Sequence, residues 1–412
     1  MEGKPVRLRS KARSNGPRGR CQDGYVRRRK KIRCRLPRAA RQARPRSRTI
    51  PLEGNLGELA RRHFERQGEA CGRLGSPFMA RLLPLAAARL TPETDFGRAV
   101  LDWPDERMFE DALSLRFAGA LHALVLSGRA PELAERYPPR AAAEAGDDDA
   151  LWAAVEAAMT GYGDFLGEFL RHPPQTNETA RAAALMLGFQ DAARRGGRPL
   201  HMLEIGASAG LNQNWDRFRY DLGGAGWGPA DSAVRLAPEW RGPPPDLGPV
   251  EIAASFACDL RPLDVRDPAQ MLRLRAYVWP DQQPRLQRLD GAIEIAKARA
   301  TRVARADAVD WIGASLQRRP KDRTTVIFHS IFWQYLPHES QQALRSAIEV
   351  TGDLAEADAP LAWVRMEPWR EDPWKAALYV NLWPGGETRV LAHCDYHGRW
   401  IEPLEEATGA AA

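Results

Sequence analysis

Cysteine and long apolar runs are both scarce in this sequence of 412 residues. The five cysteines are scattered and no two have C-x-x-C spacing, which argues against a disulfide scaffold or a zinc knuckle and favours a reducing cytoplasm. No apolar run approaches the roughly 18 residues that a spanning helix needs, so we expect no membrane segment. The basic N-terminus has no apolar stretch behind it and therefore does not look like a secretory signal.

The basic charge is concentrated at one end of the chain. Residues 1–50 hold 19 Lys and Arg against two acids, whereas the remaining residues hold 41 bases and 51 acids. The first segment has little apolar periodicity, so we predict a disordered tail. Its interpretation stays open between a nucleic-acid arm or targeting peptide, a solvated tail, and upstream sequence included by a misplaced start site. Because the rest of the chain is acidic, nucleic acid is an expected partner only through residues 1–50.

Helical spacing predicts a helical domain over residues 51–197. Apolar residues recur every three to four positions, and Ser76 supplies a cap followed by proline at the first helical position. Glycines and prolines separate the helical stretches. The predicted helices are 56–67, 78–90, 106–126, 149–171 and 176–195.

Between residues 198 and 405, short apolar runs alternate with helical stretches, which is the pattern of βαβ units and a parallel sheet. Two late runs joined by a Pro-Gly-Gly-Glu segment predict an antiparallel hairpin. We therefore predict an α/β fold, with the helical domain followed by a Rossmann-like, mostly parallel sheet and a C-terminal antiparallel hairpin. Residues 406–412 are predicted to be a disordered tail. The predicted strands are 200–205, 251–257, 301–306, 324–331, 361–366, 377–382 and 388–396.

The most informative segment is Glu204-Ile-Gly206-Ala-Ser208-Ala-Gly210, at the end of the first predicted strand. The glycines permit a tight turn, and free N–H groups of the helix expected to follow can face a polar or anionic ligand. The pattern resembles the E/D-x-G-x-G-x-G motif of class I S-adenosylmethionine-dependent methyltransferases, with Ser208 in place of the middle glycine. That resemblance implies that the amino-acid part of the cofactor is surrounded by Glu204, Gly206, Ala207, Ser208, Gly210 and Asn212.

Two other interpretations of this turn stay open. The segment also matches the G-x-S-x-G nucleophile elbow of serine hydrolases, with Asp and His residues later in the chain. Several strands precede the elbow in that fold, whereas everything before residue 199 looks helical here, so the match is the weaker one. The turn could also simply pack a helix against a strand.

Acids follow the next two predicted strands. Asp259 stands where a ribose-binding carboxylate belongs, and Asp307 stands where the methyltransferase pattern has an adenine contact. Asp259 lies about 50 residues beyond the turn rather than about 20, and we attribute the excess to an insertion at 222–250 that is rich in Gly, Pro and Trp. Three strand ends carrying acids support one another, although an aspartate after a strand is often only a cap.

The fourth predicted strand runs into a polar and aromatic segment. His329 is the candidate acid or base because the pKa of histidine lies near neutrality, with a hydrogen-bonded structural histidine as the alternative. Trp333 and Tyr335 follow it as candidate pocket residues. Further along, His393 and Cys394 are possible metal ligands with His397, but adjacent residues of a strand face opposite sides, so we predict no metal site.

Several segments together resemble a bacterial family known as domain of unknown function 2332, over nearly all of residues 55–405. They are GSPF (75–78), LHALVLSG (121–128), QTNE (175–178) with Arg181, EIGASAGLN (204–212), DLRPLD (259–264), WP (279–280), WPGG (383–386) and YHGRW (396–400). The family implies no activity of its own. It does point to Gln175, Asn177, Glu178 and Arg181 as residues near the pocket, with Thr176 as a cap of the helix at 176–195.

The combined expectation is an S-adenosylmethionine-dependent methyltransferase that acts on a small-molecule acceptor. Glu204 would hold the methionine amino group, Asp259 the ribose hydroxyls and Asp307 the adenine side. One alternative is a non-catalytic ligand-binding protein on the same fold. The other is a serine hydrolase that uses Ser208.

Overall fold

The computed structural model describes residues 57–404. The predicted tails at 1–50 and 406–412 lie outside these residues. Helices fill the first part of the chain, and Ser76 caps the second of them as predicted, its hydroxyl accepting from Met79 N at 3.2 Å. In chain order the helices are α1 (Glu58–Arg73), α2 (Pro77–Arg89), α3 (Asp95–Leu101), α4 (Leu113–Leu126), α5 (Pro131–Ala134), α6 (Asp148–Gly161), α7 (Gly163–Leu170) and α8 (Ala182–Gly196).

Two predicted helices are shorter or broken for local reasons. The helix predicted over 106–126 begins only at Leu113, because Ala112 adopts a left-handed conformation with φ 51°. The one predicted over 149–171 is interrupted at Tyr162, which stands between Gly161 and Gly163. Glycine is the poorest helix former apart from proline, so this pair weakens the helix at that point.

The helix predicted over 176–195 also starts late. A 3-10 turn, Thr179–Arg181, precedes α8. The prediction that Thr176 caps this helix was wrong. The cap of the 3-10 turn is Glu178, whose Oε1 accepts from Ala180 N at 3.1 Å.

The second part of the chain holds two sheets and four more helices. In chain order the strands are β1 (Leu200–Ile205), β2 (Arg219–Leu222), β3 (Ala225–Trp227), β4 (Arg235–Leu236), β5 (Glu239–Trp240), β6 (Ile252–Asp259), β7 (Ala304–Arg305), β8 (Thr324–Ser330), β9 (Leu361–Pro368), β10 (Ala376–Trp383), β11 (Thr388–Cys394) and β12 (Trp400–Pro403). The helices are α9 (Pro268–Ala276), α10 (Gln283–Ala298), α11 (Ala308–Gln317) and α12 (His338–Asp353).

The large sheet has the order β5-β12-β11-β10-β9-β8-β1-β6-β7. Strands β7, β6, β1, β8 and β9 run parallel, and β9 to β12 pair antiparallel. This confirms the predicted α/β fold with N-terminal helices, a mostly parallel sheet and antiparallel strands at the C-terminal end. Numbered along the chain, the parallel strands have the order 3-2-1-4-5, so the order reverses between β1 and β8.

Helices cover both faces of the sheet, and this is visible in the alternation along β8. Phe328 points to a core shared with Phe189 of α8, and the neighbouring Ile327 points to a second core shared with Ile312 of α11. Successive side chains of a strand face opposite sides, so a strand covered on both faces is apolar throughout. The strands therefore expose their carboxyl ends, rather than a face, to a ligand.

The insertion predicted at 222–250 carries short strands of its own. Strands β3 and β4 flank β2 in the small sheet, and β5 extends the large sheet by pairing with β12. The strand predicted at 301–306 shrinks to Ala304–Arg305 at the opposite edge. Within residues 57–404 no helix is long and apolar enough to cross a membrane.

Candidate functional site

The turn after β1 has an unusual backbone. Gly206, Ser208 and Gly210 all have positive φ, at 64°, 55° and 70°. Glycine adopts this region freely, whereas a serine there is strained. The segment after Gly210 is a 3-10 helix, Leu211–Arg217, and not the α-helix expected from the sequence.

Glu204 lies on β1 just before this turn, and the hydrogen-bonding capacity of its carboxyl group is not fully used by the described residues. Its side chain is buried, with 5% of the residue exposed, and Oε2 has no hydrogen-bond partner among residues 57–404. Burial raises its pKa well above the ordinary value, and the negative charge of Asp259 raises it further. The carboxyl group is therefore held in its protonated form well above the pH at which a free glutamic acid ionises.

Two more polar atoms of the turn lack partners. Ser208 Oγ and Asn212 Oδ1 are buried without a hydrogen bond to any residue that the structure describes. The buried residue Ala207 ties the turn to β6, because its N donates to Cys258 O at 3.1 Å. Together with Glu204 Oε2, this gives three buried oxygens without partners among the described residues, all between residues 204 and 212 at the carboxyl edge of the sheet.

Asp259 and Asp307 both lie near this turn but differ in their bonding. Asp259 accepts from Ser208 N at 2.8 Å and from Arg261 N at 2.7 Å. Asp307 is exposed and caps α11, accepting from Val309 N at 2.8 Å. Burial and the charges of Asp259, Asp307 and Glu204 raise the pKa of the Cys258 thiol to about 12. All three predicted carboxylates are therefore close enough to act electrostatically on Cys258, near the end of β6.

An aromatic ring that the sequence analysis missed covers the first glycine. A Cβ atom added to Gly206 would lie 2.1 Å from Cδ2 of Phe332, so only glycine fits beneath this ring. Phe332 follows β8, and its ring forms one wall of the turn. No signal in the sequence marks this role, because an aromatic residue after a strand is usually part of the core.

His329 is a fully engaged side chain. Its Nδ1 lies 2.6 Å from Glu367 Oε1, and its Nε2 accepts from Trp363 Nε1 at 3.1 Å. A ring that accepts at Nε2 carries its proton on Nδ1 and donates it to the carboxylate. This geometry favours the structural alternative for His329. Its catalytic role stays a prediction.

Glu367 is a second residue that the sequence analysis missed. It ends β9, and its Oε1 accepts from Phe332 N at 3.0 Å and Trp333 N at 3.2 Å as well as from His329. The strand-end pattern that pointed to Asp259 would also have pointed to Glu367 had it been extended to the fifth parallel strand.

The segment before α8 joins the turn to its surroundings. Asn177 Oδ1 accepts from Leu211 N at 3.0 Å, and Gln175 Nε2 donates to Arg261 O at 2.9 Å beside Asp259. The backbone carbonyl of Glu178 accepts from Asn212 Nδ2 at 3.4 Å. Three of the four residues named by the family pattern thus contact the loops at the strand ends.

The fourth, Arg181, faces a different space. It lines a cavity of about 400 Å³ together with Tyr335, which is 74% exposed. Trp333 stacks on His329 with ring centroids 5.6 Å apart and lines a separate cavity of about 330 Å³. Of these two predicted aromatic pocket residues, only Tyr335 therefore shares a cavity with Arg181.

The possible metal ligands do not converge. His393 stacks on Trp369 with ring centroids 4.0 Å apart, and Cys394 is buried with its thiol near Ala376 O. His397 lines the cavity that contains Arg181. No group of three His, Cys, Asp or Glu side chains in the part of the chain that the structure describes is placed to hold a metal ion.

A family model described as an uncharacterized protein conserved in bacteria (DUF2332) matches residues 61–402. The chain belongs to this family. The match covers α1 to β12 nearly completely, including the turn at 204–212 and both cavities. No curated protein and no solved structure matches the chain.

Proposed function

We propose that this member of the family is an S-adenosylmethionine-dependent methyltransferase for a small-molecule acceptor. The observation that carries the proposal is the set of buried, unpartnered oxygens in one turn: Glu204 Oε2, Ser208 Oγ and Asn212 Oδ1. A buried polar atom without a partner costs about 1–3 kcal/mol, so three of them together point to a ligand that supplies the partners.

The chemistry of these atoms fits the amino-acid part of the cofactor. An ammonium group needs acceptors, which Glu204 and Asn212 offer, and a carboxylate needs a donor, which the Ser208 hydroxyl offers. Asp259 uses two of the roughly four acceptor positions of a carboxylate and keeps capacity for ribose hydroxyls. Asp307 is exposed beside it.

The strand order supports the same proposal. The order 3-2-1-4-5 is that of a Rossmann-like sheet, in which ligands bind outside the carboxyl ends where the order reverses. Here that place is between β1 and β8, which carry the turn at 204–212 and Phe332. A Rossmann-like fold is therefore part of the proposal.

When bound, the cofactor would supply a methyl group on a positively charged sulfur. The residues of the chain would then hold and orient donor and acceptor, with Phe332 excluding water from one side of the turn. Such a transfer needs a base only when the acceptor must lose a proton. Glu367 and Trp363 engage both His329 nitrogens, so the proposal assigns no proton transfer to His329.

Isothermal titration with S-adenosylmethionine tests the proposal. We expect the wild type to bind and Glu204→Gln to bind about tenfold to a hundredfold more weakly, because a charge-assisted hydrogen bond contributes about 1.5–3 kcal/mol. Glu387→Gln, an exposed acid in the turn between β10 and β11, is the control and should bind like wild type. No binding by the wild type at millimolar ligand would refute the proposal.

The same titration has a second readout that isolates Glu204. Burial raises the pKa of this carboxyl group, and an arriving ammonium group lowers it, so binding drives off a proton between the two pKa values. Titrations at a series of pH values above 4.5, in buffers of different ionisation enthalpy, should therefore show a range of proton release by the wild type that Glu204→Gln lacks. Equal release by both would contradict the assigned role of Glu204.

Simple assays distinguish the proposed methyltransferase from a serine hydrolase and from a non-catalytic binding protein. Ser208 has the strained backbone of an elbow serine, but its Oγ has no base within hydrogen-bond distance. We expect a fluorophosphonate probe not to label it; labelling that disappears in Ser208→Ala would establish the hydrolase instead. Cofactor binding without turnover on any acceptor pool would favour the non-catalytic binding protein.

A further inference from the structure

The cavity around Arg181 is a second candidate site, separate from the turn at 204–212. Its volume of about 400 Å³ lies in the range of small-molecule pockets. Its walls come from α4, from the loops that follow α9 and β8, and from residues near the C-terminal end of the sheet. Glu204, Ser208 and Asp259 are not among the residues that line it.

Arg181 brings a positive charge to this cavity without a carboxylate of its own. Its Nε donates to Tyr396 O at 3.0 Å and its Nη1 to Ser330 O at 3.3 Å, which holds the guanidinium in place. A guanidinium has five N–H donors, so three are left without an acceptor among residues 57–404. Burial lowers the pKa of Arg181, the sign of a charge that water solvates poorly.

The neighbouring carboxylates do not neutralise this charge. Glu178 acts on Arg181 more strongly than any other acid, but it is bonded to Arg285, whose Nε and Nη2 lie 2.7 and 2.6 Å from Glu178 Oε2. Glu110 is the one carboxylate among the described residues of the lining, and it is exposed to water. A poorly solvated guanidinium that lacks its own acid favours the binding of an anion.

His397 adds a second polar group to the same wall. Its Nδ1 is buried without a hydrogen-bond partner. Burial and the charges of Arg285, Arg181 and Arg399 hold its pKa well below the ordinary value, so the ring is neutral. A neutral imidazole can donate one hydrogen bond to an anion without adding charge.

Aromatic rings form much of the remaining lining. Tyr277, Trp279 and Tyr396 lie around the cavity with Tyr335. The hydroxyl groups of Tyr277 and Tyr396 donate to the backbone carbonyls of His172 and Pro373. With these hydroxyls engaged elsewhere, the two side chains offer mainly their ring carbons, which suit an apolar or aromatic body.

We propose that this cavity binds a small organic acid, with the carboxylate on Arg181 and His397 and an apolar or aromatic body against the rings. Arg285 also lines the cavity, but Glu178 pairs with its charge. The single charge of Arg181, which is unpaired among residues 57–404, matches a monoanionic carboxylate better than a phosphate dianion. The proposal stands without the cofactor site. If both sites exist, the acid is the candidate methyl acceptor.

The test compares a carboxylate with its neutral amide. Titration of wild-type protein, without any cofactor, with 3-phenylpropionate should show binding about tenfold tighter than with 3-phenylpropionamide. Inorganic phosphate should bind more weakly than the carboxylate. Absence of carboxylate binding, equal affinity for the amide, or tighter binding of phosphate would each overturn the proposal.

Arg181→Met removes the charge and keeps the length of the side chain. We expect the preference for carboxylate over amide to fall to within about twofold. Arg194→Met, which removes an exposed arginine at the far end of α8, should keep the wild-type preference. A preference that survives in Arg181→Met overturns the proposal.

A further variant covers the case in which Arg181→Met fails to fold. Thr176 lines the cavity from an exposed position, so Thr176→Trp should obstruct it while leaving Arg181 unchanged. We expect this variant to bind both probes at least about tenfold more weakly than wild type. Unchanged binding of the carboxylate by folded Thr176→Trp would also overturn the proposal.

Discussion

Glu204 and Glu367 are the same residue type, on the same sheet and both buried, yet their surroundings differ. Oε1 of Glu367 accepts hydrogen bonds from His329 and from the backbone of Phe332 and Trp333. Oε2 is buried without a hydrogen-bond partner among residues 57–404 in both glutamates, so the difference lies in the three donors that Oε1 of Glu367 accepts. Glu204 has no comparable set of donors among these residues, and burial raises its pKa. Through Oε1, Glu367 stabilises the structure around it, whereas the carboxyl group of Glu204 is available to a ligand.

This difference separates residues that stabilise the carboxyl edge of the sheet from residues that are available to bind a ligand there. Removing a carboxylate with several buried donors leaves those donors unsatisfied and destabilises the fold. Removing one that has no partner costs the fold little. Stability and ligand binding should therefore respond to the two glutamates in opposite ways.

The largest expected effect comes from Glu367→Ala. The substitution leaves His329 Nδ1–H and the N–H groups of Phe332 and Trp333 without their acceptor. We therefore expect a loss of about 3–5 kcal/mol in the free energy of unfolding. Urea denaturation measures it. Glu371→Ala, at a nearby exposed position, should change stability by less than about 0.5 kcal/mol. A loss below about 1 kcal/mol in Glu367→Ala would show that Glu367 stabilises the fold no more than Glu204 does.

Gly206→Ala should have an intermediate effect. The new Cβ would have a strained φ and would clash with the Phe332 ring, which together should cost about 2–3 kcal/mol. Gly197→Ala is the matched control, because Gly197 has φ 63° but nothing within 4 Å of the added Cβ. Urea denaturation should give a smaller loss for the control. Equal losses would mean that Phe332 does not cover the turn.

The smallest expected effect is a gain from Glu204→Gln. Protonated Glu204 stabilises the fold below its ordinary pKa of 4.5, and this stability is lost as the pH rises through the higher pKa of the folded state. Glutamine stays neutral throughout. The Tm of Glu204→Gln should therefore match wild type near pH 4 and exceed it increasingly as the pH rises to 8. A lower Tm at pH 8 would show that Glu204 has a structural partner.

Local signals in the sequence predicted much of this edge. The apolar run at 200–205 coincides with β1, and the glycine pattern placed the turn, because both depend on neighbouring residues. The pairing of β10 and β11 also follows from a short connection. These features need no knowledge of distant parts of the chain.

What the sequence did not reveal depends on distant contacts. Glu367 lies 38 residues from His329, and its role follows from three donors that only the folded sheet brings together. The start of α8 was misplaced because Asn177 binds Leu211 N instead of extending the helix. Arg181 likewise has no carboxylate partner among residues 57–404 because Glu178 pairs with Arg285. Spacing can point to an acid at a strand end, but it does not identify the partners that the folded chain brings to it.

The cavity around Arg181 is assembled from residues as far apart as Gln67 and His397. Its arginine is held by a carbonyl near the end of the sheet, at Tyr396, and Gly398 approaches Ala180 O so closely that a Cβ there would lie 2.6 Å away. The cavity therefore forms only when segments that are far apart in the chain have come together. Ligand binding at this cavity would report that the helices before β1 and the strands of the large sheet have folded together.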